Sequence, residues 1–186
     1  CFIMFRILII FFLLNFCNSA FSSVKEKIIQ KMQLTNNLSF NFIQTINNKS
    51  ENGKCTIKYP KKIFCEYDNS NKKIIISDGK SLVIKNRNSG GYYYPLKKTP
   101  LEFLLNKKYL ISKISILEPR EIDNKYLNFK ITENDNEINL FFDKKNLNII
   151  GWQTQDVYQN LSVTFISSVT INEKIDNRIF ILPESN

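Results

Sequence analysis

The stretch KCTIKYPKKIFCEYDNSNKKIIISDGKSLVIK, residues 54–85, decides the fold class. Its first half reads as a β-hairpin over residues 54–67, bent at Pro60. Its second half pairs residues 73–77 with 81–85 across Asp78-Gly79, the strongest short-range hairpin signal. Cys55 and Cys65 stand five residues either side of Pro60. A hairpin centred there sets them directly opposite one another, with Cβ atoms about 4.5–5.5 Å apart, close enough to cross-link after modest adjustment. A Cys55–Cys65 disulfide is therefore expected in an oxidising compartment, worth roughly 2–3 kcal/mol for so short a loop. The spacing is not C-x-x-C, which argues against a redox or metal pair.

Outward from this segment, strands dominate. On the N-terminal side, Leu38, Phe40 and Phe42 alternate with polar residues, and residues 47–53 form a polar turn cluster. Before them, residues 22–33 predict an amphipathic helix. Ser23 and Glu26 make its capping box, and Val24, Ile28, Ile29 and Met32 its apolar stripe. On the C-terminal side, residues 86–91 turn into Tyr92-Tyr93-Tyr94, which either line a mouth or pack under a cover. Thr99 and Pro100 then predict the N-cap and first position of a short helix. Leu101, Leu104 and Leu105 form its apolar face, with Phe103 beside them. Strands resume through Leu127, Phe129 and Ile131, then Ile138, Leu140 and Phe142, then residues 146–154, then Leu161, Val163 and Phe165. A last strand is expected at residues 178–182. About ten short, regularly spaced strands with few helices predict a mainly β (α+β) fold. We expect a strongly curved antiparallel sheet, or incomplete β-barrel, covered by lid helices.

The chain has 186 residues, enough for one domain with a sizeable core. Residues 7–16, ILIIFFLLNF, follow Arg6 and precede the small residues Ser19, Ala20 and Ser22. That is the layout of an export signal over residues 1–19, cut between 19 and 22, ahead of a single domain at 20–186. The apolar run is half the ~20 residues a membrane span needs. Phe16 stands where a lipid-attachment site requires a small residue before Cys17, so a soluble periplasmic product is expected. Net charge is +9, but the lysines are scattered, which fits a solvated surface and no nucleic-acid partner. There is no histidine. That removes Ser-His-Asp and Cys-His chemistry and the commonest zinc ligand, so neither catalytic nor metal residues are assigned. Asp78 and Asp156 read better as turn residues than as catalytic acids.

Five groups of residues resemble the LolA-type outer-membrane lipoprotein carriers. Tyr59-Pro60-Lys61-Lys62-Ile63-Phe64-Cys65-Glu66-Tyr67 is similar to that family's R-P-x-x-F-R-W-E-Y hairpin. Ser77-Asp78-Gly79-Lys80 resembles its S-D-G-K turn, and Thr99-Pro100-Leu101 its T-P-L helix start. Trp152 with Asp156, and Ile175-Asp176 with Phe180 before Pro183, resemble its late strand and its ending. The resemblance implies a carrier of acylated lipoproteins with a hydrophobic cavity and no cofactor, and no enzyme. It would be a monomer, loaded by an inner-membrane ABC transporter and emptied by an outer-membrane lipoprotein receptor. A binder of another lipid or hydrophobic ligand on the same fold is the alternative. On this reading the acyl chains lie against Leu38, Phe40, Phe42, Ile57, Ile74, Ile76 and Leu82. Ile84, Phe129, Leu140, Phe142, Trp152, Val163 and Phe165 complete the lining. Leu101, Phe103, Leu104 and Leu105 form the lid. Two departures stand out. Tyr59 occupies the position of the family's arginine, which latches the lid. Cys65 replaces a tryptophan, and its hairpin neighbour is Cys55, so an apolar pair has become a cross-link.

Overall fold

The computed structural model describes residues 24–69, 71–86, 90–133 and 136–184. The expected export signal and the Ser23 cap lie outside them. Residues 24–34 form helix α1. Ile28 is fully buried, and Val24, Ile29 and Met32 pack beside it on the core, which is the expected stripe.

Six strands follow, each hydrogen-bonded to the one before it: β1 (Asn37–Ile46), β2 (Lys49–Lys58), β3 (Lys62–Tyr67), β4 (Ile74–Asp78), β5 (Ser81–Lys85) and β6 (Tyr92–Pro95). The chain then leaves the sheet through a short 3-10 turn, Leu96–Lys98, helix α2 (Leu101–Leu104) and helix α3 (Lys107–Ile116). It returns as β7 (Arg120–Ile122), β8 (Tyr126–Glu133), β9 (Asn136–Asp143), β10 (Ile149–Gln155) and β11 (Leu161–Ile171). The result is one open antiparallel sheet in the order β6-β5-β4-β3-β2-β1-β11-β10-β9-β8-β7. Its middle is the pair of first and last strands.

The sheet is bent round α2 and α3. Inner-face residues of both wings, such as Ile63 and Leu82 on one and Phe129 and Leu140 on the other, join one core cluster with Leu104, Leu105, Leu110 and Ile114 of the helices. At the far end the Tyr94 hydroxyl of β6 comes within 3.5 Å of that of Tyr158, in the β10–β11 loop. A flat sheet keeps such distant strands far apart, so the sheet is strongly bent, yet it stays open: no ladder joins β6 to β7. Among the described residues, no helix is long and apolar enough to cross a membrane.

Several expectations need correcting. The polar cluster at 47–53 is a turn only at Asn47-Asn48. Both residues have positive φ (48° and 62°), the twist a two-residue hairpin requires, and residues from Lys49 onward are already β2. Thr99 does not cap α2: its hydroxyl donates backwards to the Leu96 carbonyl (2.8 Å), and Pro100 precedes the helix without any side-chain cap. Helix α3 is an addition to the expected elements. Asn106 starts it by accepting a hydrogen bond from the Tyr109 N–H (3.2 Å), and Leu110 and Ile114 face the core. The last element is a 3-10 turn, Asn177–Phe180, not a strand. It lies against β3 and β4 on the sheet's outer side, where Phe180 is buried.

Candidate ligand-binding site

Strand pairing fixes which side chains face inward. On β3, Ile63, Cys65 and Tyr67 point into the bend, and the register sets Ser77 and Ile75 of β4 beside the first two. Ile74 and Ile76 therefore face outward. The three consecutive isoleucines carry no alternation to read, because Ile76, like Val83 opposite it, is buried on the outer side where the C-terminal turn crosses. On β11, Ser162, Thr164 and Ile166 face inward, and Val163 and Phe165 outward. The amide of Gln44 donates to Ser162 Oγ (3.1 Å) and Thr164 Oγ1 (3.3 Å), so two buried hydroxyls each accept a hydrogen bond where apolar residues were expected. Phe165 instead stacks on Phe141 outside the sheet (centroids 6.5 Å apart). A bulge opposite Phe40, with Ser168 at φ 51°, then flips the parity and turns Val169 and Ile171 inward.

The concave face is partly filled. Leu104 and Leu105 of the α2 segment, with Leu110 and Ile114 of α3, are buried over the centre of the sheet. Two hollows remain either side of this plug, and Trp152 lines both. Trp152 is held edge-on against Phe40 (5.8 Å, 83°).

The first hollow, about 260 Å³, lies under α1. Leu38, Ile57, Phe142 and Trp152 line it. Ile28, Met32, Leu34, Leu104, Leu110, Ile149, Val169 and Ile171 complete an apolar wall, with Lys31 and Lys107 at its edge. Leu34 and Ile171 are well exposed, so the hollow has an apolar lip. The second hollow, about 310 Å³, lies toward β4–β6. Phe42, Leu82, Ile84 and Leu101 line it, joined by Ile63, Ile75 and the cross-linked Cys55 and Cys65 (S–S 1.98 Å). Gly53 makes this wall possible: a Cβ there would sit 2.9 Å from the Phe42 ring and 2.1 Å from the Glu66 carbonyl. Its floor is polar. Tyr67 donates to Gln44 (2.8 Å), and Thr154, Ser162 and Thr164 lie alongside. Tyr92 and Tyr158 stand at the mouth, while Tyr94 packs on the core and Tyr93 turns outward to donate to the Pro183 carbonyl (2.6 Å). Phe40, Phe129 and Leu140 border neither hollow and are ordinary core. Phe103 leans on Tyr109 of α3 (5.0 Å) and does not plug the bend.

The α2–α3 segment is fastened from two sides. At the tip of the β2–β3 hairpin, the Lys61 N–H donates to the Leu105 carbonyl (2.9 Å), and the Lys61 side chain pairs with Glu102 of α2. At the start of α3, Lys107 Nζ donates to the carbonyls of Thr35 (2.7 Å) and Gln33 (3.1 Å), the exposed acceptors at the end of α1, and lies 5.7 Å over the Tyr59 ring. Burial holds the Lys107 ammonium below the ordinary lysine value and pushes the Tyr59 phenol up to about 12. Tyr59 thus offers a ring face to a cation that comes from the lid itself. The far side of α3 is tied to β8, where Glu133 accepts from Lys113 (2.6 Å) and from the Tyr109 hydroxyl (3.2 Å).

Both hollows are walled by hydrophobic side chains, and the second is floored by polar ones. The family model described as "Outer membrane lipoprotein carrier protein LolA" matches residues 33–182. No curated protein sequence matches the chain significantly. Among solved structures, an uncharacterized conserved protein from Thermus thermophilus is similar with a TM-score of 0.51 at 6% identity, over 86% of this chain and 93% of that one. A LolA superfamily protein from Nitrosomonas europaea gives 0.46 at 12% identity, over 87% and 97%. LprF from Mycobacterium bovis gives 0.48 at 13%, over 86% and 97%. The Thermus likeness supports the shared fold and nothing beyond it. With its hairpin, turn and lid motifs in order and most of its length matched, this chain belongs to the LolA family of outer membrane lipoprotein carrier proteins.

Proposed function

We propose that the protein is an exported periplasmic carrier that shelters the acyl chains of lipoproteins between the two membranes. It would take them from an inner-membrane ABC transporter and surrender them to an outer-membrane lipoprotein receptor, acting as a monomer without a cofactor. The observation that carries this reading is the plug: the bend of the sheet is filled at its centre by Leu104, Leu105 and Leu110 and hollow on both sides. Each hollow alone sits near the bottom of the range of about 300–1,000 Å³ typical of small-molecule pockets. Withdrawing the lid joins them into a larger apolar trough. Each buried CH₂ then contributes about 0.8 kcal/mol of binding, offset by the lost lid contacts, and that balance makes both uptake and release practicable. Leu38, Phe42, Ile57, Leu82, Ile84, Phe142 and Trp152 are the acyl-contact residues we assign.

Native mass spectrometry of the protein purified from the periplasm tests this directly. A co-purifying triacylated lipoprotein is the expected result, and free phospholipid points to a carrier of another lipid. Depletion in cells is the stricter trial. If lipoproteins still reach the outer membrane at the normal rate, the lipoprotein role is wrong.

A further inference from the structure

The floor of the second hollow has hydrogen-bond donors to spare. Gln44 on β1, Ser162 and Thr164 on β11, and Thr154 on β10 form one contiguous cross-strand patch. Gln44 pairs with Thr164, and Thr154 pairs with Ser162. Thr154, Ser162 and Thr164 are all more than nine-tenths buried. Both N–H groups of the Gln44 amide are used on Ser162 and Thr164, and its carbonyl is taken by Tyr67. A hydroxyl that accepts still has its own proton to donate. Among the described residues no acceptor faces the protons of Ser162 and Thr164, and Thr154 Oγ1 has no hydrogen-bond partner at all. An orphaned buried hydroxyl is costly, and Thr154 is among the residues that line this hollow.

What the patch lacks is an acceptor, and its surroundings select an uncharged one. Lys73, the cation on this lining, is paired with Glu51 and lies 3.8 Å over the Tyr67 ring. The carboxylate at the mouth, Asp156, is occupied with the N–H groups of Tyr158 and Asn160 and repels anions. The opposite wall, Phe42, Ile63, Ile75 and Leu82, is apolar. We infer that the second hollow is an acyl-carbonyl subsite, in which Thr154, Ser162 and Thr164 donate to the ester or amide carbonyl of an acyl group whose hydrocarbon tail lies on the Phe42–Leu82 wall. This rests on the lipid-carrier reading and adds that the carrier reads the linkage as well as the tail.

The test compares 1-monooleoylglycerol with its ether counterpart, 1-O-oleylglycerol, which has the same chain and headgroup but no carbonyl. Both displace a fluorescent acyl probe from the delipidated full chain. The wild type is expected to prefer the ester about tenfold, the equivalent of one well-made hydrogen bond. Thr154→Val, close in shape, and separately Ser162→Ala should each pull the ester-to-ether ratio toward one. Equal binding of both ligands by the wild type overturns the subsite and leaves the carrier intact. So does a ratio that neither substitution changes. If the wild type displaces the probe with neither ligand, the lipid-carrier reading falls and the subsite with it.

Discussion

The two hollows share a wall at Trp152 and differ in almost everything else. The first is roofed by α1, edged by two lysines and lined by apolar side chains from five parts of the chain. The second is walled by a disulfide-stapled hairpin and floored by hydroxyl and amide groups. Apolar surface is indifferent to a ligand's orientation, whereas hydrogen-bonding groups are not. Under the proposed function the first hollow stores hydrocarbon, and under the acyl-carbonyl inference the second fixes how an amphiphile lies. One sheet supplies both because β10 and β11 change from apolar to polar along their inner face between Ile166 and Ser162.

The largest effect that would sharpen this contrast is expected from the plug between the hollows. Leu105→Ala removes a wholly buried side chain from the lid. It should cost about 2–5 kcal/mol in urea unfolding and raise uptake of a fluorescent acyl probe. Lost stability without increased uptake would mean that the lid does not limit entry. Next comes the staple. Replacing both Cys55 and Cys65 by serine should lower stability by roughly 2–3 kcal/mol. The perturbation should appear at the second hollow, where both residues line the wall, and spare a probe held in the first. Lys107→Met should cost less, about 1 kcal/mol, since Lys107 is partly solvated. It should speed hydrogen exchange of α3 and loosen the first hollow only. Equal loosening of both would show that the lid moves as one body. The smallest effect is at Glu133, whose carboxyl is held below the ordinary glutamate value by Lys113 first and the Tyr109 hydroxyl second. A depressed folded-state value stabilises fully above the unfolded value of about 4.3 and fades as pH falls through the folded one. The melting temperature of Glu133→Gln should therefore lie slightly below that of wild type at neutral pH and converge with it in acid. A gap that persists in acid would assign the effect to packing.

How much of this is legible in the sequence varies with the local chemistry. The hairpins at Pro60 and Asp78-Gly79, the Cys55–Cys65 register and the open, bent sheet all follow from turn residues and alternation, which act over a few positions. The inner face is misread where alternation and burial part company. β4 is apolar on both sides because the C-terminal turn covers its back, so Ile74 and Ile76 give no parity. On β11 the apolar residues Val163 and Phe165 face out, and the polar ones face in. Only the partner Gln44, 118 and 120 positions away in the sequence, makes that arrangement tolerable. Helix α3 escapes a sequence reading because its KISI segment alternates as a strand would, while the Asn106 cap and the Leu110–Ile114 spacing are short signals. The Tyr59–Lys107 contact does not follow from Tyr59 alone, since Lys107 and the carbonyls at the end of α1 meet it only in three dimensions.

The pairing of β1 with β11 has a consequence for the order of assembly. The strand laid down first lies at the middle of the sheet beside the strand laid down last, so every earlier stage presents β1 as an unpaired edge. The sheet lacks its central pair until the strand ending at Ile171 has docked, and contacts of such long sequence separation form slowly. An incomplete copy keeps that edge exposed, and an unpaired edge strand invites aggregation.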